Sequence, residues 1–201
     1  MKPLRYFALL FSLFVPQAPA IAAADTPLKV VQSGSLLSVE GWLETNATRE
    51  IAWSVLTDYE HFPEFVPGIL ANRVLETQGR VKTVAQSGEI VTGLFKLRYE
   101  GTMRIEETPD EGLSILFLSG PFKEVRGEWR MERAEKKRPL RLVYRMNMDM
   151  MKTPFPPPLA PIIAEQQVRT WVDMFGREMD KRMDKRMDNR ADNQMERRKA
   201  K

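Results

Sequence analysis

Residues 95–105 read Phe-Lys-Leu-Arg-Tyr-Glu-Gly-Thr-Met-Arg-Ile. Phe95, Leu97, Tyr99, Gly101, Met103 and Ile105 alternate with Lys96, Arg98, Glu100 and Arg104, and a strand turns successive side chains to opposite faces. One face is therefore apolar and the other charged, as in an antiparallel sheet with a dry side and a wet side. The same alternation surrounds this stretch. Val125, Gly127, Trp129 and Met131 stand against Glu124, Arg126, Glu128, Arg130 and Glu132. Leu142, Tyr144, Met146, Met148 and Met150 stand against Arg141, Val143, Arg145, Asn147 and Asp149. Six strands are predicted, at about 69–77, 81–91, 94–107, 113–118, 122–133 and 140–150, separated by turn signals such as Gln78-Gly79, Thr92-Gly93, Pro109-Asp110 and Gly120-Pro121. Connectors this short make hairpins.

Upstream, Leu37, Val39 and Leu43 mark one face of a first strand over 36–45. Thr48 then offers an N-cap to a helix carrying Ile51, Ala52, Val55 and Leu56. Pro63, Pro67 and Gly68 restrict the next segment to a turn or two of helix. Downstream, the Pro-rich segment 153–161 leads into a helix from about Leu159, whose Ala164, Val168, Trp171, Val172, Phe175 and Met179 recur at three- and four-residue steps. The expected fold class is α+β: a curved antiparallel sheet of about seven strands around a long C-terminal helix, with two short helices after the first strand.

The chain has 201 residues, with 31 Lys and Arg, 27 Asp and Glu, one His and no Cys. The lack of cysteine excludes disulfides, thiol nucleophiles, iron-sulfur clusters and cysteine zinc sites. His61, Asp58, Glu60 and Glu64 share one short segment, but they lack the spacing of a calcium loop or a His-carboxylate triad, and His61 reads as an exposed loop residue. No glycine-rich phosphate loop precedes a helix and no Gly-x-Ser-x-Gly elbow occurs. The sequence thus proposes no catalytic residue, no cofactor and no metal.

Residues 1–24 contain Lys2 and Arg5, an apolar run from Tyr6 to Val15, and a small-residue stretch ending at Ala24. That order is a cleavable signal peptide, so export to the periplasm is expected. Residues 25–180 make the domain, and 181–201 a Met-, Asp-, Lys- and Arg-rich tail, read as a helical extension or a disordered segment. Residues 176–201 hold ten basic and six acidic residues, whereas 25–175 hold 19 basic and 21 acidic ones. The basic character sits at the ends, so nucleic acid is a poor partner for the body. The tail offers a possible transient membrane contact. Its Asp180, Asp184, Asp188 and Asp192 repeat every four residues beside Met179, Met183 and Met187, a step that drifts around a helix.

The dry space mixes Met with Tyr and Trp, which suits a greasy ligand with a few polar atoms, though an ordinary packed core has the same composition. The words Ala52-Trp53-Ser54-Val55-Leu56-Thr57-Asp58-Tyr59, Phe62-Pro63-Glu64-Phe65-Val66-Pro67-Gly68, and Phe122 through Gly127-Glu128-Trp129 add to this. With the element order, they resemble the START-like (SRPBCC) superfamily of helix-grip fold, nearest its polyketide cyclase/dehydrase and coenzyme Q-binding group, over about residues 36–178. The resemblance implies a hydrophobic cavity between sheet and C-terminal helix, lined by Phe95, Tyr99, Met103, Phe117, Trp129, Tyr144, Met146, Met148, Trp171 and Phe175. Trp53 and the 62–65 turn would be scaffold or entrance. The implied function is binding or carriage of a lipid, isoprenoid quinone or polyketide-like molecule. The alternative is a cyclase/dehydrase-type enzyme working in the same cavity.

Overall fold

The computed structural model describes residues 26–93, 95–134 and 140–199; the expected leader lies outside them. They hold eight strands: β1 (Leu28–Ser33), β2 (Leu36–Thr45), β3 (Ile69–Gln78), β4 (Val81–Thr92), β5 (Phe95–Thr108), β6 (Gly112–Phe117), β7 (Arg126–Arg133) and β8 (Leu140–Asp149). All pair antiparallel in one sheet of order β1-β2-β8-β7-β6-β5-β4-β3. Between β2 and β3 lie α1 (Arg49–Leu56), a 3-10 turn (Tyr59–His61) and α2 (Phe62–Phe65); after β8 come a second 3-10 turn (Met150–Lys152) and α3 (Ala160–Lys199). This is the α+β sheet around a long C-terminal helix that the alternation predicts.

The sheet has one strand more than expected. β1 folds back on β2 through a turn at Gly34, which adopts a left-handed φ of 60°, and all of β1 except Leu28 is exposed. An edge strand with so little burial has no apolar period to read. The strand expected over 122–133 begins only at Arg126, because Glu124 takes a left-handed φ of 74° and turns the chain. Phe117 accepts from the Glu124 N–H at 2.9 Å and donates to the Val125 carbonyl at 3.0 Å, closing that turn.

Thr48 caps α1, its side chain accepting from the Ile51 N–H, and the helix buries Ile51, Ala52, Val55 and Leu56. On the sheet's outer face, Glu40 pairs with Arg145 and, at 3.7 Å, with Arg130; Arg130 also lies 3.6 Å from Glu128. Cross-strand charge alternation makes this the wet face.

α3 is one helix of 40 residues, about 60 Å long at 1.5 Å per residue, and the segment from 181 to 199 continues it. Among the described residues, no helix is long and apolar enough to cross a membrane. Its first half lies in the concave face, burying Ala160, Ile163, Ala164, Val168, Val172, Phe175 and Met179. Gly41 on β2 permits the close approach, since a Cβ there would lie 2.9 Å from Val168 Cγ1.

Where α3 leaves the sheet, ion pairs tie it to the segment around α1. Arg182 donates to Asp58 at 2.7 Å and to Glu178 at 2.9 Å, and Arg186 lies 3.0 Å from Glu50. Burial opposes the charge of Asp58, but hydrogen bonds from His61 and Arg182 outweigh it and hold the carboxyl below its ordinary value. A lowered folded pKa adds stability above the unfolded value of about 3.9 and loses it as pH falls through the folded one. Asp58→Asn should therefore cost about 1–2 kcal/mol at pH 7, measured by urea unfolding, with the difference shrinking progressively below about pH 4.

Candidate ligand cavity

Half of the concave face is filled by a column of rings. Phe62 and Phe65 of α2 meet Phe175 at centroid distances of 5.1 and 5.3 Å. Phe175 lies 4.8 Å from Trp129, Trp129 lies 4.5 Å from Tyr144, and Tyr144 lies 5.4 Å from Trp171. Edge-to-face and tilted contacts of this kind add to the area the rings bury, so this half of the grip is solid core.

Past Trp171, toward the start of α3, the packing opens into a cavity of about 50 Å³. Gln86, Ile90 and Tyr99 form one wall, Phe117, Phe122 and Val125 a second, and Met146 and Met148 the floor. Phe155, Ile163, Ala164, Gln167 and Trp171 close it from the helix side. Phe122 joins the walls, its ring 5.0 Å from Tyr99, 6.2 Å from Phe117 and 5.6 Å from Phe155.

The polar groups in this lining are few and uncharged. Tyr99 donates to Gln86 Oε1 at 3.2 Å, and Gln86 is only 4% exposed. Trp171 Nε1 is buried and takes no hydrogen bond among the described residues. Burial pushes the Tyr99 hydroxyl up to about 12, and burial followed by the neighbouring Tyr99 pushes Tyr144 up as well. Both phenols stay protonated at neutral pH and act as hydrogen-bond donors, not bases. Neither Asp, Glu, His, Lys nor Arg lines the cavity. Among the described residues, no three His, Asp or Glu side chains gather where they could hold a metal ion.

The ten predicted lining residues divide between cavity and surroundings. Tyr99, Phe117, Met146, Met148 and Trp171 line the cavity. Trp129, Tyr144 and Phe175 are in the ring column, and Met103 is buried core. Phe95 stands behind Phe155, 5.8 Å ring to ring. Alternation assigns a strand residue to a face of the sheet but says nothing about its position along the helix. Gln86 and Ile90 were legible, since they share the inward register of β4 with Val84 and with Gly88, which sits opposite Tyr99. Phe122 and Phe155 lie in connecting segments that have no period, and nothing local signals them. Arg98 lies on the wet face, 3.6 Å from Glu89, and His61 is exposed, 2.6 Å from Asp58. The 62–65 turn is scaffold for the ring column, and Trp53 packs half-buried against the core.

A sheet gripping a terminal helix over an apolar cavity defines the helix-grip, START-like class. The chain belongs to the polyketide cyclase/dehydrase and lipid transport family, whose model matches residues 45–175. Solved structures of the same fold include an aromatase/cyclase from Streptomyces sp. R1128, with TM-score 0.62, 18% identity, 74% of this chain and 96% of that one covered. A START superfamily protein from Mycobacterium smegmatis matches with TM-score 0.56, 17% identity and coverage of 74% and 97%. A STAR-related lipid transfer protein from Xanthomonas axonopodis matches with TM-score 0.55, 11% identity and coverage of 76% and 98%. No curated protein sequence gives a significant match.

Gly127 lies beneath Tyr144, where a Cβ would come within 2.8 Å of the phenol oxygen. Gly127→Ala should destabilise the protein by about 1–3 kcal/mol in denaturant unfolding, and adding Tyr144→Phe should recover part of that loss.

Proposed function

We propose that this protein is an exported, periplasmic carrier that holds a hydrophobic small molecule, such as a lipid, isoprenoid quinone or polyketide-like compound, between its sheet and α3. The observation that carries the reading is the apolar cavity itself, with neutral donors in its wall and no Asp, Glu, His, Lys or Arg. Export rests on the order of charged, apolar and small residues over 1–24. Burial of ligand carbon would supply affinity at about 25 cal/mol per Å², reduced by the costs of ordering.

A cavity of about 50 Å³ is far below the roughly 300–1,000 Å³ of ligand pockets, so loading requires the lining to move apart. The side chains suit that. Met146 and Met148 have three rotatable bonds each, and Phe122 and Phe155 sit on connecting segments, not on the sheet. A membrane contact by the tail would rest on cations beyond Arg182 and Arg186, which are already paired within the chain.

Cyclase-type turnover in the same cavity is the second reading, favoured by the Tyr99–Gln86 pair and the unpartnered Trp171 Nε1, which could orient a substrate carbonyl. Protein purified without detergent should release a stoichiometric apolar molecule on denaturation, seen by native against denaturing mass spectrometry. Ala164→Phe, which fills the cavity from α3, should lower that occupancy at least fivefold. Wild-type protein that carries nothing and binds neither fatty-acid nor quinone probes would sink the carrier reading.

A further inference from the structure

The hydrogen-bond ladder between β7 and β8 stops short of the end of β8. Its last pair is Arg126 with Asn147, whereas β8 continues beside β2 as far as Asp149. Beyond that point the two chain segments are bridged by Lys152, 2.8 Å from Glu124. Both side chains are more than half exposed, and exposed ion pairs hold weakly. Glu124 is also one of two non-glycine residues with positive φ among the described residues, so the turn that carries it is strained.

Outside this gap lies an open groove of about 430 Å³, flanked by Val31 and Leu36, which are 53% and 60% exposed. Val125 and Met148 line both this groove and the inner cavity, so those two side chains are the partition between them. Lys123 and Arg126 also line the groove; both act electrostatically on the Glu124 carboxylate beside them, but the close partner of that carboxylate is Lys152. Asp149 is occupied by the Met151 N–H at 3.1 Å. The groove thus has apolar sides, two cations besides the Lys152–Glu124 pair and a thin apolar floor over the cavity. Its β1 and β2 side, Val31 to Ser38, lies outside the family-matched 45–175.

We propose that this groove is the portal of the cavity and the seat of the ligand's head: the protein takes single-chain amphiphiles with a phosphate or carboxylate head, the chain passing between Val125 and Met148 and the head resting on Lys123 and Arg126. The proposal rests on the carrier reading and narrows its ligand class. The volumes agree with it, because the inner cavity has no room and no cation for a charged head, while the groove has both. The Lys152–Glu124 pair is the latch that must part for the chain to enter.

Two measurements on the purified protein test this. The first compares dodecyl phosphate, 1-dodecanol and inorganic phosphate by titration calorimetry. Dodecyl phosphate should bind at least tenfold tighter than dodecanol and inorganic phosphate weakest. The double variant Lys123→Glu/Arg126→Glu should bring the preference for the phosphate head to within about twofold, with its unfolding midpoint checked for folding. A preference untouched by that variant, or inorganic phosphate binding as tightly as dodecyl phosphate, overturns the head site. The second measurement uses the absence of native cysteine. Glu124→Cys/Lys152→Cys joined by a reversible bis-methanethiosulfonate cross-linker should take up dodecyl phosphate at least tenfold more slowly, and reductant should restore the rate. Unchanged uptake by cross-linked protein overturns the portal while leaving the carrier reading intact. Failure of the unlinked protein to bind either chain-bearing probe overturns the head site and the portal, and the carrier reading falls with them where the protein also carries nothing and binds no quinone or fatty-acid probe.

Discussion

The packing of Phe175 against Trp129 sets the height of α3 above the sheet, and the rest of the grip depends on it. Rings from α2, α3, β7 and β8 meet there in one continuous column. They are too large to let the helix settle onto the strands along its whole length. Beside the rings the helix comes close to β2 where glycines allow, at Gly41 opposite Val168 and at Gly176 against Leu43. Each ring in the column buries apolar area while its neighbours restrict it to a narrow range of tilts, so the helix is located as well as attracted.

The buried face of α3 grows along its length, from Ala160, Ile163 and Ala164 through Val168 and Val172 to Phe175 and Met179. Two alanines, Ala160 and Ala164, flank Ile163 at the start of the helix, and Phe175 and Met179 stand at the far end. The free space falls between Ile163 and Trp171, over Ala164, where the cavity is found. Native interiors rarely tolerate such a void, because lining atoms lose contacts that nothing replaces. Here the void is bounded by Met and by loop-borne Phe, side chains that can close over it or withdraw.

The strand pattern was legible because β5, β7 and β8 each have one dry and one charged face and turn signals bound the others, and the positions of β3 to β6 and β8 follow it to within a residue or two. β1 was not legible, since an exposed edge strand repeats nothing, and neither was the turn at Glu124, whose left-handed backbone is a tertiary outcome. The site was half legible for a related reason. Period two identifies which side of the sheet a residue faces but not which stretch of helix lies above it. Trp129 and Met146 have the same inward register, yet one is in the column and the other under the cavity. What decides between them is which α3 side chain lies above each, Phe175 over Trp129 and the Ile163-to-Trp171 stretch over Met146, a long-range fact written in a different part of the chain.

The chemistry of the wall and the mechanics of its opening point the same way. A group that donates a proton in turnover needs a pKa near the working pH, whereas burial moves both inward phenols away from it. Tyr99, the one of the two in the cavity wall, keeps its hydroxyl satisfied by donating to Gln86 and can donate to a ligand instead without becoming charged. Binding then depends on whether space can be made, and the residues that would make it are not distributed evenly. Met148 and Val125 belong at once to the cavity wall and to the floor of the outer groove, just past the last pair of the β7–β8 ladder. Moving these two side chains apart breaks no β7–β8 ladder pair, because that ladder ends at Arg126 and Asn147. Enlarging the cavity and admitting a ligand are therefore one displacement of the same two side chains, and the firm ring column at the other end keeps that displacement local.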